Sequence, residues 1–150
     1  MLIFFTKEKF KEIKEEYEKL LIERKETVSH LTKARDMGDL SENGYYRSSK
    51  TKLSSIDFSL RKLSGFMKYG SIITFVNNGI VEIGCTVTLN DDENTQTKYQ
   101  IVGREEADPK IGKISNESPL GKLLLGKRVG ENIKLLTPSR EINYKISKLE

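Results

Sequence analysis

The first half of the chain carries apolar residues at the spacing of one helix face. Apolar or aromatic side chains recur there every three or four residues, which is typical of an amphipathic helix. The first set is Phe10, Ile13, Tyr17, Leu20, Val28 and Leu31, and the second is Tyr46, Ser49, Leu53, Ile56, Leu60, Leu63 and Met67, in which Ser49 is the only polar member. No glycine or proline precedes Gly38, and Thr6 is suited to cap a helix N-terminus. The pattern predicts two long helices, the first over residues 7–36.

Each predicted helix presents one narrow apolar stripe, and a short glycine-containing turn joins the two. Such stripes bury each other when the helices fold back on one another as an antiparallel coiled coil. At about 1.5 Å per residue the first helix is about 45 Å long. We therefore expect residues 1–75 to form a protruding antiparallel coiled-coil hairpin. A compact helical bundle is the alternative, which the narrowness of the stripes disfavours.

After Gly70 the period of the pattern changes to two. Residues 83–89 and 97–102 alternate around a polar turn at 91–94, and residues 133–136 and 142–146 flank a second turn, which predicts two antiparallel strand pairs. Between them, Ser118 as N-cap, Pro119 at the first helical position and Gly126 after the end delimit one short helix. Residues 76–150 are thus predicted to be a small antiparallel sheet packed on a helix, and the whole chain is α+β.

Composition and charge narrow the class of protein. The 150 residues suffice for one ordinary domain or two small ones. A membrane-spanning helix needs about 18 consecutive apolar residues, and no stretch of the chain approaches that length. Cys85 is the single cysteine, so it has no internal disulfide partner. We expect a soluble, cytoplasmic protein with no membrane contact, in which Cys85 is a small buried hydrophobe. The net charge of +4 lies wholly in residues 1–72, with 15 basic against 11 acidic residues, which indicates a polyanionic partner.

Candidate chemistry is confined to the turn between the helices. The chain has no P-loop, GxGxxG, CxxC or HExxH motif, and His30 is its single histidine, which argues against a self-contained hydrolase, NTPase or zinc protein. Asp39 and Glu42 are three residues apart, a spacing that is also found in a capping box. At the far end of a protruding hairpin the same two carboxylates are suited to completing an Mg²⁺ site that another molecule supplies. The spacing alone leaves both interpretations open.

Basic residues flank this turn on both sides. Lys33 and Arg35 precede it, and Arg47 and Lys50 follow it. Together they suit a phosphate backbone, whereas any one of them taken singly is ordinary helix surface charge.

The turn and the second half resemble a known family. The segment GDLSEN at 38–43, within ARDMGDLSENGYY, resembles the coiled-coil tip of the bacterial transcript-cleavage factors of the Gre family. YQIVG at 99–103, EAD at 106–108 and ISNESPLGKLLLGK at 114–127 are similar to the second domain of that family. The resemblance covers nearly the whole chain in the right order. It implies that residues 76–150 form an FKBP-like domain.

The resemblance implies a transcription elongation factor that inserts its coiled coil into the secondary channel of RNA polymerase. There it would stimulate hydrolytic cleavage of backtracked nascent RNA and so rescue arrested complexes. Asp39 and Glu42 would be the catalytic pair, sharing Mg²⁺ with the polymerase. The isolated chain would then hold no cofactor and would not itself be an enzyme.

The resemblance also implies two binding surfaces. Arg35, Arg47 and Lys50 would contact the extruded 3′ end of the nascent RNA. Ser115, Glu117 and Pro119 match the loop with which the family docks on the polymerase rim. We expect a monomer.

Two departures and three alternatives accompany this interpretation. Gly44 and Tyr45 stand where the family usually has a small residue such as alanine and an acid, which affects fine tip geometry. The modest basic cluster favours the A-like branch, associated with short RNA extrusions.

The alternatives are a non-cleaving inhibitor of the same channel, an FKBP-like prolyl isomerase and a plain coiled-coil adaptor.

Overall fold

A computed structural model describes residues 2–38 and 44–150. The chain forms two compact units: residues 10–70 are one, and residues 1–9 together with 71–150 are the other. The elements in chain order are β1 (Ile3–Phe5), α1 (Lys7–Asp36), α2 (Gly44–Tyr69), β2 (Gly70–Ile72), β3 (Thr86–Asn90), β4 (Gln96–Val102), a 3₁₀ turn (Pro109–Ile111), β5 (Lys113–Ser115), α3 (Pro119–Leu124), β6 (Asn132–Leu136) and β7 (Glu141–Leu149).

The two long helices confirm the prediction from the 3,4 pattern, with one change in the seam between them. Val28 remains 37% exposed, whereas the neighbouring Thr27 is buried. Thr27 follows Leu20 by seven residues and so continues the same helix face. Its hydroxyl donates to the carbonyl of Glu23 at 2.8 Å, which satisfies the buried polar group. A pattern that counts only apolar residues misses a threonine of this kind.

The buried side chains in the seam between α1 and α2 are larger away from the connection and smaller near it. Away from the connection it contains Ile13, Leu60 and Leu63, and nearer the connection it contains Ala34 and Ser49. Because the separation of two packed helices depends on the side chains at the contact, small residues permit a closer approach of the backbones. The seam therefore permits a closer approach of the two helices on the side toward the connection.

An ion pair joins the middle of the two helices. Arg24 Nε donates to Asp57 Oδ1 at 2.6 Å, and Lys52 Nζ lies 3.5 Å from Glu23 Oε1. The hydrogen bond from Arg24 holds the pKa of the Asp57 carboxyl below its usual range and raises the pKa of the guanidinium. These contacts fix which turn of α1 faces which turn of α2.

The sheet unit contains five strands in the order β5-β4-β3-β7-β6. The antiparallel pairs β3–β4 and β6–β7 confirm the two predicted strand pairs. Strand β5 pairs in parallel with β4, so the sheet is mixed and not wholly antiparallel. With three residues, β5 is too short to show the alternation by which a strand is recognised. Strand β3 begins later than predicted because Gly84 has a φ of +98°, which breaks the extended chain.

The core of this unit lies between the sheet and α3. Leu89, Ile101, Leu124 and Ile146 are fully buried within it. Ser118 caps α3 and Pro119 is its first residue, as predicted. Cys85 is also fully buried, which confirms it as a packing residue, and burial raises the pKa of its thiol.

The chain's first residues pack into the sheet unit, which the sequence did not predict. Strand β1 pairs with β2, and Phe5 has no exposed surface. At Gly103 a Cβ atom would lie 2.2 Å from the carbonyl oxygen of Phe4. Only glycine permits that approach, so Gly103 is the position over which β1 crosses.

Candidate functional site

Helix α1 ends in a turn just before the connection to α2. The Met37 and Gly38 amides donate to the carbonyls of Ala34 and Arg35 at 3.2 Å each, which ends α1. Gly38 has a φ of +79°, the left-handed geometry that glycine supplies at helix C-termini. Asp39 and Glu42 belong to residues 39–43, which lie outside the described residues.

The predicted RNA-contacting residues lie close to this connection. Arg35 is in the last turn of α1 and Arg47 in the first turn of α2, and both are exposed. Lys50 is exposed one turn further on, with its Nζ 6.0 Å from the centroid of the Tyr46 ring. Cations near a helix C-terminus also interact favourably with the helix dipole, so Arg35 stabilises α1 whatever else it binds. The fold thus groups three cations at the end of the helical unit that carries the two acids.

An aromatic contact joins the two helices at the same end. The ring of Tyr45 lies 6.3 Å from that of His30, measured between centroids, with the planes inclined at 43°. Tyr45 nevertheless keeps 45% of its surface exposed. Sequence reasoning assigned neither ring a role, because nothing in the sequence indicates that these positions meet.

The predicted docking loop is rigidly built. Ser115 ends β5, and its carbonyl accepts from the Ser118 amide at 3.0 Å and the Ser118 hydroxyl at 2.7 Å. The Ser115 hydroxyl accepts from the Glu117 amide at 3.0 Å. Glu117 and Pro119 project into solvent, whereas Ser115 is half-buried. Ser115 therefore shapes the loop, and Glu117 and Pro119 form its outer surface.

The inner side of this loop has no room for a further side chain. A Cβ atom at Gly121 would lie 2.1 Å from the Ser115 carbonyl oxygen. Glu117 also lines a small cavity together with Phe4, Arg104 and Asn116. The loop therefore packs closely against α3 on its inner side, and its outer side borders a small cavity.

Two further tests concern membranes and metals. Within residues 2–38 and 44–150, no helix is long and apolar enough to cross a membrane. In that same part of the chain, His, Cys, Asp and Glu side chains form no cluster of three or more that is suited to a metal ion.

Comparisons with known proteins cover both units. The family model described as "Transcription elongation factor, N-terminal" matches residues 3–72, and the model described as "Transcription elongation factor, GreA/GreB, C-term" matches residues 76–150. The chain belongs to the GreA/GreB family.

Relatives within the GreA/GreB family are similar over most of their length. Transcription elongation factor GreA of Sphingopyxis alaskensis is 38% identical over 152 residues, covering 95% of this chain and 96% of the relative. The GreA of Bacillus licheniformis is 41% identical over 143 residues, covering 93% and 90%. The crystal structure of GreA factor homolog 1 (Gfh1) of Thermus thermophilus is 22% identical and covers 100% of this chain and 99% of that one, with a TM-score of 0.47. The two GreA relatives and the two family models show that the chain is a transcription elongation factor of the GreA type.

One buried polar cluster of this GreA/GreB family member escaped sequence reasoning. The carboxylate of Glu106 accepts from the amide of Thr6 at 2.8 Å and from its hydroxyl at 2.5 Å, and Lys113 Nζ lies 3.2 Å away. Thr6 in turn caps α1, since its hydroxyl accepts from the Lys9 amide at 3.2 Å. The sequence indicated Thr6 as a cap, but a partner 100 residues away leaves no local signal.

Proposed function

We propose that this chain inserts its helical hairpin into the secondary channel of RNA polymerase and stimulates hydrolytic cleavage of backtracked nascent RNA. The proposal rests on one observation: a GreA/GreB family member carries Asp39 and Glu42 in the connection between two long helices. The polymerase supplies the remaining part of the reactive centre. The chain alone is not a nuclease.

The donor chemistry of the connection fits a shared magnesium ion. Mg²⁺ prefers oxygen ligands in near-octahedral geometry and is usually held by one or two carboxylates together with water or phosphate oxygens. Asp39 and Glu42 supply two carboxylates, which is too few for a complete protein site and suited to a joint one. When bound, the ion stabilises the charge that develops on the attacking and leaving oxygens of a phosphodiester. Asp39 helps to hold the ion, and Glu42 holds it or orients the attacking water.

The cations beside the connection bind the RNA that the reaction consumes. The extruded 3′ segment is single-stranded and carries one negative charge per phosphate. Arg35, Arg47 and Lys50 are exposed on either side of the connection that contains the two acids, and cationic side chains of this kind track a phosphate backbone. They hold the RNA within reach of the carboxylates and offset the repulsion between these and the phosphates.

The loop of the sheet unit docks on the rim of the channel. Glu117 and Pro119 offer an exposed acid beside an exposed apolar ring on a backbone that internal hydrogen bonds hold fixed. A preformed loop loses little conformational entropy on binding. Ser115 contributes by shaping that loop.

The decisive experiment measures RNA cleavage in purified backtracked polymerase complexes. Asp39→Asn and Glu42→Gln each keep the side-chain shape and remove the charge. We expect each to slow stimulated cleavage by about 100-fold or more, because metal-assisted charge stabilisation contributes several kcal/mol to the rate. Polymerase binding, measured by competition with the unmodified factor, should change little.

Asp36→Asn is the matched control, since Asp36 is an exposed acid three residues before Asp39. It should cleave at the unmodified rate. Free RNA without polymerase should remain intact in the presence of the chain and Mg²⁺. Equal cleavage by the Asp39, Glu42 and Asp36 variants would reduce the two acids to helix caps and overturn the proposal.

A further inference from the structure

The contact between Tyr45 and His30 leaves an aromatic surface open beside the connection. The separation of 6.3 Å between ring centroids lies within the range of favourable aromatic pairs. Tyr45 keeps 45% of its surface exposed, so it remains accessible to a ligand despite that contact. The His30 ring lies on the neighbouring helix, so it limits the positions that the Tyr45 ring can adopt.

Three exposed cations follow this aromatic pair along α1 and α2. Lys33 is exposed three residues after His30 in α1, a spacing that makes the two side chains neighbours on the helix surface. Arg47 and Lys50 are exposed in the first two turns of α2, the helix that carries Tyr45 near its start. Exposed aromatic rings among cations are the combination by which proteins bind single-stranded nucleic acid: cations follow the phosphates while bases stack on the rings.

We propose that Tyr45, supported by His30, is a stacking platform for a nucleobase of the extruded RNA 3′ segment. This inference rests on the proposed function, which brings single-stranded RNA to this end of the helical unit. Base stacking requires an accessible ring that is already held in position, because a ring ordered only on binding loses part of the gain as entropy. Tyr45 meets both conditions. The Tyr45 ring would contact the flat face of a base. Because every base has such a face, binding should not depend on which base is present.

A purely structural role for Tyr45 makes different demands. Packing between α1 and α2 would be served by any apolar side chain of similar size, and its loss would affect every RNA substrate equally. Stacking requires an aromatic ring on the protein and a base on the RNA. The two roles are thus separated by changing both partners.

The experiment compares two proteins on two RNAs in backtracked polymerase complexes, at factor concentrations below saturation. One RNA carries normal extruded nucleotides, and the other carries abasic nucleotides at the same positions. We expect Tyr45→Ala to lower the cleavage rate about 5- to 150-fold on the normal RNA, the range typical for loss of one stacked base. On the abasic RNA the two proteins should cleave at the same rate, within about twofold.

Three control variants sharpen the comparison. Tyr45→Phe keeps the ring and should restore most of the rate lost in Tyr45→Ala, whereas Tyr45→Leu should not. Tyr69→Ala removes a tyrosine that is more exposed than Tyr45, at 60%, and that lies at the other end of α2, about 36 Å away at the rise of a helix. It should have no effect on either RNA.

A salt series separates stacking from charge. The ratio of unmodified to Tyr45→Ala rates should stay constant as salt rises, whereas the corresponding ratio for Lys50→Ala should fall because phosphate contacts are screened. The inference is overturned if Tyr45→Ala slows cleavage of normal and abasic RNA equally, or of neither. If Asp39→Asn still abolishes cleavage in that case, the proposed function stands and the stacking platform alone fails. If Asp39→Asn cleaves normally, the proposed function itself fails.

Discussion

At the scale of single residues, Glu106 is the most constrained side chain of the sheet unit. Its side chain has no exposed surface, and burial of a carboxylate costs free energy unless hydrogen bonds compensate. The Thr6 amide, the Thr6 hydroxyl and the Lys113 ammonium supply that compensation. Because Thr6 is also the cap of α1, one carboxylate holds both the start of that helix and the strand region around Lys113.

We predict that Glu106→Gln destabilises the sheet unit by about 2 to 3 kcal/mol, the contribution typical of hydrogen bonds to a charged group. The substitution removes the charge that pairs with Lys113. It also places the side-chain NH₂ of glutamine near the Thr6 amide and hydroxyl, which both donate and cannot accept a hydrogen bond from it in this arrangement. Amide hydrogen exchange of core positions such as Leu89 should accelerate about 30- to 150-fold. Glu105→Gln, at the exposed neighbouring position, is the control, and identical exchange in the two variants would contradict the prediction.

At the scale of elements, two helical glycines have opposite surroundings. A Cβ atom at Gly65, inside α2, would meet nothing within 4 Å. At Gly121, inside α3, it would collide with the Ser115 carbonyl oxygen at 2.1 Å. Glycine at position 65 therefore lowers the stability of α2. Glycine at position 121 is needed because only a residue without a side chain lets α3 pack against the loop of Ser115–Pro119.

The same substitution should therefore act in opposite directions at the two positions. Gly65→Ala should stabilise the helical unit by up to about 1 kcal/mol, the difference in helix propensity, and raise the midpoint of the thermal transition seen by circular dichroism at 222 nm. Gly121→Ala should destabilise the sheet unit by about 1 to 3 kcal/mol through overpacking, measured as faster hydrogen exchange at Leu89. Shifts of the same sign in both variants would show that backbone propensity, not the close approach to Ser115, decides the outcome at Gly121.

At the scale of the whole molecule, the two units have cores of different kinds. The helical unit buries a narrow seam, and the sheet unit buries a cluster that includes Val81, Val87, Leu89 and Cys85. Cys85 is the single thiol of the chain and is fully buried, so it reports on the second core alone.

We predict that Cys85 is protected from a thiol reagent such as DTNB in the native protein. Burial removes access and raises the pKa of the thiol, which lowers the fraction of reactive thiolate at neutral pH. Labelling should be slower by about 100-fold or more than in the urea-unfolded chain, since it requires opening of the sheet unit. Native labelling at a rate near that of the unfolded chain would place the thiol outside a stable core.

The sequence predicted the features that depend on neighbouring residues. The 3,4 repeat gave both long helices, and Ser118 with Pro119 gave the start of α3, because these signals are local. The parallel strand β5, the strand β1 and the bond from Thr6 to Glu106 depend on residues far apart in the chain and left no periodic signal. The positions of Arg35, Arg47 and Lys50 near the connection followed from the sequence, whereas the contact of His30 with Tyr45 depends on the register of two helices.

The graded seam of the helical unit has a mechanical consequence. The small residues Ala34 and Ser49 lie at the interface nearer the connection, and the larger Leu60 and Leu63 lie further from it, so the interface allows the two helices to approach each other more closely near the connection. Under the proposed function, a larger side chain at Ala34 or Ser49 would push the helices apart near the connection and obstruct entry into the polymerase without altering Asp39 or Glu42.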